Sequence, residues 1–91
     1  MNLQKLQSQL PKLHNIKFVN GDLVEVYEPP VSFITEGSLF ISAENGDDAC
    51  DYYGEFRGGY PYINPALEEF AAKNGGMFEW QNPSCIVFCK N

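Results

Sequence analysis

Leu3, Leu6, Leu10 and Leu13 recur at helical spacing, with Gln4, Lys5, Gln7, Ser8 and Gln9 between them. That pattern predicts an amphipathic helix with Asn2 as its N-cap. Pro11 lacks an N–H and crowds the carbonyl one turn earlier, so the helix should end or kink near Leu10. Its leucine stripe is expected to dock on a sheet.

The pattern then changes to β-rich runs. Ile16-Lys17-Phe18-Val19 and Leu23-Val24-Glu25-Val26-Tyr27-Glu28 flank Asn20-Gly21. Asn-Gly accepts the positive φ that a type I′ turn needs at both positions, so a two-residue hairpin pairing Val19 with Asp22 is expected. Pro29-Pro30 stops the second strand. Val31–Thr35 and Leu39–Ser42 read as two more strands around a turn at Glu36-Gly37-Ser38. Runs this short and closely connected make an antiparallel meander the simplest topology.

Residues 43–62 mix acids, glycines and tyrosines and read as an ordered loop, with room for one helical turn around 47–53. Asn64-Pro65 then opens a helix, with Asn as N-cap, Pro at the first position and Glu68 and Glu69 near the positive end. Ala66, Leu67, Phe70 and Ala71 form its apolar face, and Asn74-Gly75-Gly76 stops it after Lys73. Met77–Trp80 and Cys85–Cys89 are the last strands, around a Gln81–Ser84 turn. The expectation is a single α+β domain over residues 1–91. It has a mostly antiparallel sheet of about five to six short strands, an N-terminal helix and one helix near residues 65–74.

A chain of 91 residues that is 44% hydrophobic and 14% aromatic has enough apolar material for one core. Six Lys+Arg against twelve Asp+Glu give a net charge of −6, which argues against direct nucleic-acid binding through a basic cluster. No apolar run approaches the ~18 residues of a membrane span, and Met1-Asn2-Leu3-Gln4-Lys5 lacks a signal-peptide core. Three cysteines suit a reducing compartment better than a disulfide framework, so a cytoplasmic location is expected. The charge is uneven. Residues 1–21 carry Lys5, Lys12 and Lys17 and no acid, whereas Glu44, Asp47, Asp48, Asp51 and Glu55 cluster further along with only Arg57 close by.

Catalytic and metal-binding patterns do not assemble. His14 is the single histidine, and no G-x-S-x-G elbow is present. Cys85 and Cys89 on one strand lie about 13 Å apart at their Cα atoms, too far to share a bridge or a metal. Asp47, Asp48 and Asp51 do not match a calcium loop. Gly54-Glu55-Phe56-Arg57-Gly58-Gly59 lacks the P-loop lysine, and Arg57 either clamps an anion or pairs with a neighbouring carboxylate. The chain is therefore expected to be no enzyme and to bind neither cofactor nor metal.

Residues 51–62, Asp-Tyr-Tyr-Gly-Glu-Phe-Arg-Gly-Gly-Tyr-Pro-Tyr, are the most distinctive segment. Tyr and Arg are enriched at interface anchors, and Gly with Tyr makes adaptable recognition loops. Clustered acids steer a basic partner. Asp47, Asp48, Asp51, Tyr52, Tyr53, Glu55, Arg57, Tyr60 and Tyr62 are thus the candidate partner-binding residues. The alternative use of the tyrosines is to cover the open sheet face. Tyr53–Pro61 and the Glu79-Trp80-Gln81-Asn82-Pro83 turn resemble small acidic orphan proteins of bacteriophages, prophages and conjugative elements. The resemblance covers roughly the C-terminal half, excludes residues 1–42 and carries no catalytic residue. It implies a setting in which small proteins bind host factors. The expected function is a non-enzymatic protein-binding module, an inhibitor of a host nucleic-acid-handling or immunity protein with a basic surface. The alternative is a homo-oligomeric accessory or assembly protein of the element, a homodimer in its simplest form.

Overall fold

A computed structural model of the chain describes residues 2–45, 48–53 and 61–91. Helix α1 spans Leu3–Ser8, and the Asn2 side chain accepts a hydrogen bond from the Lys5 backbone N–H at 3.0 Å. It ends two residues before Leu10, ahead of Pro11, and directs Leu6 into the core.

Strands β1 (Leu13–Val19) and β2 (Asp22–Glu28) form the hairpin, with Val19 opposite Asp22. Asn20 (φ 52°) and Gly21 (φ 85°) both take the positive φ expected at this turn. β1 begins at Leu13, three residues before the β-rich run, so His14 lies inside the strand. Strands β3 (Ser32–Thr35) and β4 (Ser38–Ser42) repeat the device, with Glu36 (φ 51°) and Gly37 (φ 74°) between them. β5 (Cys50–Asp51) pairs with β6 (Tyr62–Ile63), and the described residues 48–53 form this strand and a bend in place of a helical turn. Helix α2 (Pro65–Lys73) is capped by Asn64, whose side chain accepts from the Ala66 N–H at 2.9 Å. β7 (Gly76–Asn82) and β8 (Cys85–Lys90) complete the chain.

The architecture is α+β with antiparallel pairing, but the strands do not run as one meander. β1 and β2 form a sheet of their own, and the order of the main sheet is β3-β4-β8-β7. The reason is Pro29-Pro30. Neither residue can donate to a ladder, so β2 ends without handing its edge to β3. β4 pairs instead with β8, setting Phe40 beside Val87 and Ile41 beside Ile86.

Both helices contribute to one core. Leu39 and Ile41 of β4, Ile86 of β8 and Leu67 of α2 are fully buried, joined by Leu6, Leu10, Leu13, Phe70, Phe78 and Phe88. Truncating such a leucine to alanine typically costs about 2–5 kcal/mol. Gly76 lets β7 and β8 close against each other. A Cβ there would meet the Cys89 carbonyl oxygen and the Phe88 ring far inside van der Waals contact.

Two glycine substitutions separate crowding from backbone strain. Gly76→Ala should destabilise by about 1–3 kcal/mol or more, through overpacking. Gly21→Ala meets nothing within 4 Å but must hold φ +85°, and should cost about 1–2 kcal/mol. Urea unfolding midpoints measure both.

Candidate interaction surface

The acid- and tyrosine-rich segment is anchored at the base of the hairpin. The Asp48 N–H donates to the His14 carbonyl at 3.4 Å, on the outer side of β1. The Asp48 carboxylate accepts from the Tyr62 hydroxyl at 3.4 Å, and its carbonyl accepts from the Asn64 side-chain amide at 2.7 Å. Asp51 sits opposite Tyr62 in the β5–β6 ladder. An acid and a half-buried tyrosine are thus joined, and Asn64 ties them to the start of α2.

Tyr52 and Tyr53 form a second cluster. Their rings meet edge to face at 5.2 Å, and Tyr52 meets Trp80 of β7 at 5.2 Å and 77°. Tyr53 is 63% exposed, whereas Tyr52 and Trp80 are half-buried. The tyrosines therefore divide: Tyr52 packs on the main sheet, as a covering residue would, and Tyr53 faces solvent. The Trp80 indole N–H is buried and finds no acceptor among the described residues. Asp47, Glu55, Arg57 and Tyr60, the other candidates, lie outside the described residues.

A larger exposed surface lies on the hairpin itself. Side chains of paired residues share a face. One face therefore carries His14 with Tyr27, Ile16 with Glu25, and Phe18 with Leu23. Phe18 is 73% exposed, Leu23 69%, Tyr27 68% and Ile16 55%. His14 spans the strands, with Nε2 3.1 Å from Glu25 Oε1 and its ring 5.5 Å from that of Tyr27. The single histidine thus acts as a cross-strand tie. The opposite face mixes the smaller exposed Val19 and Val24 with charged pairs. Lys17 Nζ meets Glu28 Oε1 at 2.7 Å, Asn15 approaches the same carboxylate, and Leu13 at the base enters the core. The Lys17 ammonium, hydrogen-bonded to Glu28, holds that carboxyl below the usual carboxylate range, and Asn15 adds to the effect.

The apolar hairpin face is absent from the sequence-based candidates. Its signal is the apolar alternation Ile16-x-Phe18 opposite Leu23 and Tyr27. A half-buried strand of a larger sheet gives the same alternation, and only the break at Pro29-Pro30 tells them apart.

None of the three cysteines forms a disulfide, and Cys50 and Cys85 are buried. The Cys89 thiol donates toward Glu79 Oε2 at 3.6 Å. No group of three or more His, Cys, Asp or Glu side chains able to hold a metal occurs among the described residues. No helix among them is long and apolar enough to cross a membrane. No family model, curated protein or solved structure matches the chain.

Burial pushes the Cys85 thiol up from its ordinary range, with the Glu44 carboxylate adding to it, and burial followed by Glu79 does the same to Cys89. Both should stay protonated and alkylate more slowly than an ordinary free thiol at mildly alkaline pH. Glu79→Gln should speed the reaction at Cys89 and leave Cys85 unchanged, read by mass spectrometry of the alkylated peptides.

Proposed function

We propose that the chain is a non-enzymatic protein-binding module. The observation that supports this best is the uncovered apolar face of the β1–β2 hairpin. Monomeric proteins rarely expose contiguous large apolar side chains on one face unless another protein covers them. The acid–tyrosine corner at the hairpin base supplies a second kind of contact. Asp48 beside Tyr62 and the exposed Tyr53 combine a negative charge with aromatic edges. Such a corner suits a partner with a basic surface, since charge speeds encounter and aromatic anchors lengthen the complex's lifetime.

The resemblance of the C-terminal half to small proteins of bacteriophages and other mobile elements supports a host protein as that partner. The reading is then an inhibitor of a host nucleic-acid-handling or immunity protein. Its carboxylates occupy the basic surface that phosphates would otherwise use. A cytoplasmic location follows from that role.

The test is capture of partners from host lysate at low and high salt, with melting temperatures measured on the same variants. Asp47→Lys with Asp48→Lys should slow association and flatten its salt dependence. Tyr53→Ala should speed dissociation, by about 2 kcal/mol if it is an anchor, with little change in melting temperature. Unchanged capture by folded variants of both kinds contradicts the role of the corner.

A further inference from the structure

We propose that the hairpin face bearing Ile16, Phe18, Leu23 and Tyr27 is a homodimer interface, packed against the same face of a second copy. This rests on the protein-binding reading above and names the partner of the hairpin, leaving the acid–tyrosine corner for a different protein.

Three considerations point to a second copy. The first is area. At their observed exposures, the four side chains present on the order of 500 Å² of mostly apolar surface. Two such faces together can remove up to about 1,000 Å² from water, the lower limit of a specific interface and in keeping with a dimer that dissociates on dilution. The second is charge. The chain carries −6, so two copies repel over most of their surface. This face has one carboxylate, Glu25, already bonded to His14. A basic partner would find only this one carboxylate to attract it here, whereas an identical face offers three large apolar side chains and Tyr27 to cover. A two-fold axis along the hairpin sets Phe18 over the partner's Leu23 and Ile16 over the aliphatic stem of the partner's Glu25. The two Glu25 carboxylates then stay apart. The third consideration is stability. A two-stranded ribbon is marginal in water and needs further strands or a packed face. Among the described residues, 13–28 pair with no strand outside the hairpin. The cover has to be present whenever the chain is folded, and a second copy meets that condition.

Sedimentation equilibrium over a range of protein concentrations tests the proposal. Wild type should reach about twice the 10.3 kDa chain mass and dissociate on dilution. Phe18→Asp and Leu23→Lys, both at exposed positions, should each weaken association by about tenfold or more. Far-UV circular dichroism should report an intact main sheet in both. Val31→Asp, an exposed apolar position off this face, should remain dimeric. Should the hairpin variants unfold, amide chemical shifts of wild type against concentration replace them, with changes expected within residues 13–28. A wild type monomeric at every concentration overturns the proposal, as do dimeric hairpin variants or shifts confined to other residues. Salt separates the two readings. The apolar dimer should persist or strengthen at high salt, whereas capture of a basic partner through the corner should weaken. A salt-resistant dimer with no captured partner sinks only the reading of the corner. A monomer that captures a partner sinks only the dimer.

Discussion

The pairing of β4 with β8 holds this molecule together. It sets residues 40–42 beside residues 85–87, joining the middle of the chain to its end, and so completes the surface on which both helices pack. Leu39, Ile41 and Ile86 are sealed from solvent on those two strands, with Leu67 of α2 closing over the sheet. Such a contact is slow to find, because a long loop must close before it gains anything. Local signals lower that cost. Asn20-Gly21 and Gly37 suit the positive φ of the first two hairpin turns, Asn64 and Pro65 start α2, and Gly76 lets β7 approach β8.

The same arrangement leaves the first hairpin outside. Pro29-Pro30 prevents β2 from joining β3, and the main sheet is completed by β8 instead. Leu13 alone among the hairpin residues is fully drawn into the core. Seven-residue strands extend about 23 Å, in a molecule measuring 42 × 27 × 22 Å. Beyond its base, the hairpin depends on cross-strand ties: Lys17 with Glu28 on one face, His14 with Glu25 on the other. These are exposed pairs, and exposed pairs contribute little. The energetic need of the hairpin and the binding role proposed for it are therefore one matter, because whatever covers Phe18 and Leu23 also stabilises the ribbon.

Local chemistry made most elements legible from sequence. Asn20-Gly21, Asn64-Pro65 and Asn74-Gly75-Gly76 each force a particular backbone geometry, and each sits where that geometry is needed. Long-range pairing was less legible. Pro29-Pro30 marks locally that β2 stops short of β3, but the arrival of β8 at the other edge of the hairpin, on β4, depends on packing across the whole chain, and no local pattern encodes it. The candidate site divides similarly. Asp48 and Tyr62 meet, whereas Tyr53 lies with Tyr52 in a separate cluster in which Tyr52 packs edge to face on Trp80 of β7. The apolar hairpin face carries no sequence mark of its own, because a buried strand and an interface strand share one alternation.

The central claim is that the hairpin is completed only by contact with another protein surface. Hydrogen exchange of the backbone amides, followed as a function of protein concentration, tests it most directly. The account predicts that protection across residues 13–28 rises with concentration, while protection in β4 and β8 stays constant and high. Concentration-independent protection of the hairpin, equal to that of the main sheet, would contradict it.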